Sequence, residues 1–267
     1  MTLPALLPAA PPEPSLEAEV LGRDTRVLVR DTTAAPFRYI CHLHNRPAGG
    51  GGWMGTGTLI GPRTILTAAH NLVGADPADI VVTPARNGPA APFGTTRGSA
   101  ALLWHAGFGP ADEGGPPDVA LLRLRTPIGT RSGVWSIRHS AGRLDPVGRS
   151  IDGRLPQATG VLKVNISGYP GDKCGTAARP LPCGSSQWRT YSATVRAKGL
   201  LLHYLNDTKP GHSGSPVWVR RHPSMGGRVL IAVHVARGPR NRSGAVTSNV
   251  AARLTPQLMA WIRANTR

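Results

Sequence analysis

Along most of this chain, short apolar and β-branched runs alternate with clusters of glycine, proline and small polar residues. Runs of that length bounded by turn formers read as strands. They fall at Thr25 to Val29, Phe37 to Leu43, Gly57 to Ile60, Thr64 to Leu66, Ile80 to Thr83, Ala101 to Trp104 and Val119 to Arg123. After a break between Pro127 and Gly133 a second series follows, at Ser150 to Ile151, Gly160 to Ile166, Ser192 to Val195, Leu200 to Leu205, Pro216 to Val219, Val229 to Val235 and Ala245 to Ser248. Helical period is missing until the end, where Thr255 caps a run with Pro256 in its first turn. Leu258, Trp261 and Ile262 recur there at i, i+3 and i+4, a packing stripe. Ala68 to Leu72 reads as one short helical turn, Gly49 to Gly52 as a loop tip, and Gly114 to Pro117 as a turn leading into Asp118.

One turn differs from the rest. In Gly211-His212-Ser213-Gly214-Ser215-Pro216-Val217 a serine sits between two glycines just ahead of an apolar run. Glycine at 211 and 214 allows positive φ and a close approach of backbone to a ligand. A serine so placed is a candidate nucleophile, with Ser215 serving the turn. Activating it requires a base, and the base requires a carboxylate to hold its tautomer. Two stretches supply them. GTGTLIGPRTILTAAHNLVG (55–74) leads into His70 through small residues that permit close packing behind an imidazole. PPDVALLRL (116–124) places Asp118 at the mouth of an apolar strand, where a carboxylate is partly buried. The order His70, Asp118, Ser213 spreads the three over most of the chain, and that distributed pattern is more specific than any one motif.

With these residues the chain resembles the chymotrypsin-like serine endopeptidases, and within them the glutamyl endopeptidase (V8-like) branch. VLGRDTRVLVRDTTAAPFRYI (20–40) looks like the mature amino terminus of that branch, VNISGYPGDK (164–173) like its mid-domain signature and NDTKPGHSGSPVW (206–218) like its nucleophile region. IAVHVARG with NRSGAV (231–246) is similar to the strand and loop that close its specificity pocket. The resemblance spans about Val20 to Ile262 and departs at His212 and Pro210, where a different polar residue and a glycine are usual. It implies an all-β fold of two packed six-stranded antiparallel β-barrels (trypsin-like) with a short C-terminal helix. Residues 20–130 would form the first barrel, carrying His70 and Asp118, 131–254 the second, carrying Ser213, and 255–267 the helix. Catalysis would take place in the cleft between the barrels. The resemblance further implies an oxyanion hole from the backbone N–H groups of Gly211 and Ser213, a glutamate pocket with Thr208 and His234, and use of the α-amino group of Val20 after cleavage of the Glu19-Val20 bond. No metal or organic cofactor is needed. Asp207 opens a second reading, since in trypsin-like relatives an acid at that spacing selects arginine or lysine. A third reading is an idle protease fold used as a basic binding module, which the complete trio argues against.

Composition changes this picture little. Thirty-three glycines and 26 prolines in 267 residues reflect many turns between short strands. The net charge of +17 invites a polyanion reading, but only Lys163, Lys173, Lys198 and Lys209 are lysines and the arginines are scattered. The expected partner is a protein or peptide substrate, with no specific nucleic acid, no membrane and a monomeric state. Cys174 and Cys183 bracket a loop short enough to be bridged, which points to an oxidising compartment. Cys41 is left as a small buried residue. His42 and His44 share one strand face with no further ligand nearby, and a solvated face is expected. Residues 1–19, with five prolines and no basic residue, read as an extended mobile segment that is neither a signal peptide nor a membrane span. The family is exported, so secretion or a periplasmic location is expected without a visible leader.

Overall fold

β-Branched and leucine-rich runs between glycine turns leave little room for helix, and the computed structural model is built accordingly. It describes residues 18–48, 50–108, 115, 117–137, 163–176, 180–220 and 227–266. The strands in chain order are β1 (Val27–Leu28), β2 (Ile40–Asn45), β3 (Met54–Gly61), β4 (Thr64–Thr67), β5 (Ile80–Pro84), β6 (Thr96–Arg97), β7 (Ser99–Trp104) and β8 (Ala120–Leu124). There follow β9 (Lys163–Gly168), β10 (Trp188–Lys198), β11 (Leu201–Tyr204), β12 (Pro216–Arg220), β13 (Arg228–Arg237) and β14 (Asn249–Arg253). A single turn, α1 (Gly129–Ser132), follows β8, and α2 (Pro256–Asn265) ends the chain.

The strands form two curled antiparallel sheets. One runs β6-β5-β2-β3-β4-β8-β7 and the other β1-β10-β11-β14-β13-β12-β9, closed on itself because β10 also pairs with β9. Each sheet thus has six principal strands and one two-residue strand at its margin, β6 or β1. β1 lies within the first run of the sequence yet pairs with β10 of the second sheet, Val27 opposite Arg189 and Leu28 opposite Trp188. Acidic side chains on loops that follow β9 and β11 hold it there. The Asp207 carboxylate accepts from Leu21 N, Thr25 N and Thr25 Oγ1, and Arg26 bridges Asp24 and Asp172.

Three other expectations shift. Phe37 to Tyr39 forms a 3₁₀ turn ahead of β2, setting Phe37 edge-on to Trp218 and Tyr39 edge-on to Trp135. The expected strand at Ala245 to Ser248 is a loop, with β14 beginning at Asn249. Asn241 Oδ1 takes the N–H groups of Ser243 and Ala245, each at 3.0 Å, so a side-chain turn claims a donor that a ladder would need. Nor is the histidine face of β2 solvated: His42 is 2% exposed, its ring 5.2 Å from that of Tyr169, and His44 is half-buried. The expected strand at Ser150 to Ile151 lies outside the described residues.

Each barrel fills with its own apolar cluster, Leu43, Leu59, Ile65 and Leu122 in the first and Val164, Ile166, Val217 and Ile231 in the second. A third cluster welds the two together: Ile40, Leu66, Leu121, Tyr169, Trp218 and Leu230, with Leu258, Met259 and Ile262 from α2. Thr255 Oγ1 caps α2 by accepting from Leu258 N at 3.2 Å. The three buried α2 side chains contribute roughly 1.5–3 kcal/mol each by leaving water. A disulfide joins Cys174 to Cys183, and Cys41 is free and buried, its thiol pushed up by burial. No helix among the described residues is long and apolar enough to cross a membrane.

Candidate active site

His70 stands in the one-turn 3₁₀ helix Ala69–Leu72 that follows β4. Ala68 and Ala69 are fully buried, and Asn71 and Leu72 of the same turn are buried with them. Asp118, fully buried, sits two residues before β8, whose pairing with β4 brings the two chain segments side by side. Its carboxylate grips His70 twice, accepting the backbone N–H on Oδ1 at 3.0 Å and facing ring Nδ1 with Oδ2 at 2.6 Å. An ionised carboxylate only accepts, so Nδ1 carries the proton and Nε2 keeps its lone pair. That is the tautomer a general base requires.

The serine turn belongs to the second barrel but is docked on the first. Ser213 O accepts from Thr56 N in β3 and from Asn71 Nδ2, both at 2.8 Å. Asn71 directly follows His70, so one side chain ties the imidazole turn to the serine turn. Gly211 and Gly214 have φ of +95° and +86°. A Cβ on Gly214 would lie 2.0 Å from Thr56 O, and one on Gly211 2.3 Å from Tyr169 O. Only glycine fits either place. The Pro210 carbonyl is held by Gly171 N at 2.7 Å and the His212 carbonyl by Ser215 N at 2.8 Å. Because a trans peptide sets its N–H opposite its C=O, the amides of Gly211 and Ser213 point away from those contacts as a pair of donors. Ser213 is half-buried, whereas Ser215 is fully buried with its Oγ against Gly168, which leaves Ser215 to the turn.

Thr208 and His234 lie beside this turn, both fully buried. His234 closes the turn by accepting Gly214 N on its carbonyl at 2.8 Å. Its ring Nδ1 lies 2.5 Å from Tyr204 Oη and 3.1 Å from Val250 O. Thr208 Oγ1, His234 Nε2 and His212 Nε2 have no hydrogen-bond partner among the described residues. Burial, with the neighbouring His212 and His70, holds His234 well below the usual imidazole range. Burial likewise takes His212 down to about 3, its Nδ1 accepting from Lys209 N at 3.2 Å.

Val20 is half-buried next to Glu19, whose carbonyl accepts from Thr208 N at 3.1 Å and Asn249 Nδ2 at 2.6 Å. Asp207 faces the 21–25 segment, its two oxygens accepting from Leu21 and Thr25. Sequence reasoning passed over Asn71, Thr56 and Asn249. Asn71 was open to inspection beside His70, but nothing in the sequence marks the other two.

A family model described as Trypsin matches residues 28–262. The glutamyl endopeptidase of Bacillus licheniformis is 29% identical over 249 residues, covering 88% of this chain and 68% of that protein. A Bacillus subtilis protein named extracellular metalloprotease is 26% identical over 237 residues, covering 87% of this chain and 67% of that protein. A solved structure of a Glu endopeptidase in complex with MPD superposes with a TM-score of 0.66 at 25% identity, covering 92% of this chain and 98% of that one. Because the family match begins at Leu28 and ends inside α2, it takes in both barrels, and the chain belongs to the trypsin family of serine endopeptidases.

Proposed function

We propose that this chain is a secreted endopeptidase that cleaves polypeptides after glutamate, with Ser213 as nucleophile, His70 as general base and Asp118 as the carboxylate that orients it. The observation that carries the reading is the 2.6 Å contact of Asp118 Oδ2 with His70 Nδ1 in a turn tied through Asn71 to Ser213. Ser213 Oγ attacks the scissile carbonyl carbon while its proton passes to His70 Nε2. The oxyanion that forms is met by the N–H groups of Gly211 and Ser213, where loss of one donor typically costs about 2.7–4 kcal/mol. His70 then protonates the leaving amine, and water repeats the sequence on the acyl-enzyme.

For the residue before the scissile bond, Thr208 Oγ1 and His234 Nε2 are two buried polar atoms in need of partners. In the tautomer that carries its proton on Nε2, His234 takes the Tyr204 hydroxyl proton on Nδ1, in place of Val250 O, and offers Nε2–H to a carboxylate, which is expensive to bury without a donor. Cleavage of Glu19-Val20 adds an ammonium beside Thr208. The names of the Bacillus licheniformis relative and of the superposing structure support this choice. Asp207 is spent on the 21–25 segment, both its oxygens accepting from Leu21 and Thr25, which argues against its use for a basic side chain. Export agrees with the Cys174–Cys183 disulfide and with the extracellular Bacillus subtilis relative.

The test is a panel of fluorogenic peptides that differ only before the scissile bond. Glutamate is expected to exceed arginine by about tenfold or more, 1.4 kcal/mol of discrimination. Faster hydrolysis after arginine overturns the glutamate assignment. Ser213→Ala is expected to keep its fold and lose about 10⁵–10⁶-fold in kcat, so retained hydrolysis would move the nucleophile elsewhere. Active enzyme is expected to begin at Val20, which amino-terminal sequencing reads directly, and active material still carrying Met1 refutes processing at Glu19.

A further inference from the structure

Beyond the pocket, the cleft carries a group of cationic side chains that the chemistry above does not use. β2 runs beside β3 with His42 opposite Thr56 and His44 opposite Met54. Thr56 is the residue that holds the serine turn, donating its N–H to Ser213 O and its hydroxyl to Gly211 O. Directly opposed residues of an antiparallel pair share a face. His42 and His44 therefore continue the strip that begins at the nucleophile turn. Met54 marks its outer end, with Sδ against Gly171 and Gly184 of the second barrel.

Two arginines close over this strip. Arg86 Nη1 lies 3.2 Å from His42 Nδ1 and Arg86 Nε donates to Gly88 O at 3.1 Å. Arg46 Nε donates to His44 Nδ1 at 3.0 Å. Burial takes His42 down to about 3, so its imidazole is a neutral acceptor that steers the guanidinium without neutralising it. Among the described residues neither arginine has an ion-pair partner. The chain takes an uncommon conformation to bring Arg86 there. Ala85, just after β5, has φ of +53°, the one non-glycine residue at positive φ among those described. It is pinned by Ala85 N to Ile40 O at 2.9 Å and by Thr32 Oγ1 to its carbonyl at 2.7 Å. A left-handed alanine costs of order 1 kcal/mol or more and persists only where its surroundings impose it. Here it turns Arg86 back over β2. Two neighbouring guanidinium groups with unspent donors and no counter-charge form a carboxylate receptor, since each presents a fork that fits two oxygens.

We infer that Arg46 and Arg86, seated on His44 and His42, form a subsite for an acidic side chain of the polypeptide substrate on the leaving-group side of the scissile bond. The assignment rests on Ser213 being the nucleophile and on the pocket at Thr208 and His234. His234 takes Gly214 N of the serine turn while Thr56 N is given to Ser213 O, so a peptide with glutamate at His234 runs its following residues past Met54, where β3 pairs with β2 alone before β4 joins it at Gly57. At about 3.4 Å per extended residue and about 4.8 Å between strands, the second and third residues after the bond come within reach of the guanidinium groups.

The experiment reads binding apart from catalysis. Full-length Ser213→Ala protein is titrated with two fluorescein-labelled peptides, identical through a glutamate and the next residue, then carrying Asp-Asp or Asn-Asn. Fluorescence anisotropy is expected to show about three- to fivefold tighter binding of the Asp-Asp peptide, the scale of partly exposed ion pairs, shrinking as sodium chloride rises. In R86Q and in R46Q on the same background the preference is expected to fall towards one. Arg46 is exposed, so R46Q keeps the test open should R86Q not fold. Equal affinity for the two peptides, or an unchanged preference in R46Q, overturns the subsite. Should wild-type enzyme cleave neither peptide, the nucleophile assignment fails on its own while the titration still reports on the two arginines.

Discussion

At the scale of single residues the site is defined by which polar groups are allowed to remain uncharged. His42, His212 and His234 are nearly or fully buried. Burial lowers the first two to about 3 and the third well below its ordinary value. In the unfolded chain each takes its proton near pH 6.5. As pH falls below that value the unfolded state binds protons that the native state refuses, so stability is full above about pH 6.5 and declines below it. At pH 5 the linkage amounts to about 2 kcal/mol for each imidazole whose native value is about 3. His212→Asn isolates one of them, because the asparagine Oδ1 can accept the Lys209 N–H now held by Nδ1. The thermal midpoint of wild type is expected to fall between pH 7 and pH 5, and that of His212→Asn to fall by about one third less. Parallel melting curves for the two proteins across this interval would remove His212 from the account.

At the scale of elements, the proposed chemistry depends on how tightly the serine turn meets β3. Gly214 is the closest point, and a Cβ there meets Thr56 O at 2.0 Å and Thr67 Oγ1 at 2.3 Å, on backbone at φ +86°. Gly214→Ala must push the turn off the first barrel, loosening the bonds from Thr56 and Asn71 to Ser213 O. About 3 kcal/mol of destabilisation is expected from overpacking and strain together, read by urea unfolding, with hydrolysis lost even where the protein remains folded. A variant that folds and cleaves like wild type would show that the docking is dispensable. This turn was legible in the sequence because its requirements are local: two glycines, a serine and an apolar run. His70 and Asp118 were legible for the same reason, each being set at the edge of an apolar strand. What held them together was not. Asn71 reaches Ser213 across 142 residues of chain, and no local pattern encodes that. The direction of Asp207 was decided by donors on Leu21 and Thr25, and the burial of His42 by Tyr169 of the other barrel, all of them distant partners. Among the strands, β13 read clearly from its apolar run, whereas β6 is too short to carry a pattern and β14, Asn249–Arg253, offers one valine among polar and small residues.

At the scale of the whole molecule, the first described residues strap the second barrel before the chain goes on to build the first. Arg26, with its side chain 1% exposed, is the centre of this strap and pairs with Asp24 at 2.8 Å and with Asp172. Lys173 adds a further contact to Asp24 at 2.8 Å. Arg26, and then Lys173, hold the Asp24 carboxyl far below the usual carboxylate range. Asp172 is lowered by Arg26 in spite of its own burial. Depressed carboxylates contribute stability that is present above their unfolded value, near pH 3.9, and is lost as pH falls through their native values. Arg26→Gln keeps hydrogen-bonding capacity but removes the charge, leaving both carboxylates without their main partner. Breaking a buried pair costs about 3–5 kcal/mol, and the one-third exposure of both acids trims the expectation to about 2 kcal/mol at pH 7. The difference in stability between wild type and Arg26→Gln should therefore be widest at neutral pH and close as pH drops below about 4, where the acids protonate in the unfolded chain. The strap also carries Thr25 to Asp207 and so sets where Val20 lies. Arg26→Gln is accordingly expected to raise KM for glutamyl peptides more than it lowers kcat. A variant whose stability deficit is the same at pH 7 and pH 3, with KM unaltered, would mean that packing around Arg26, and not its charge, fastens the amino-terminal segment.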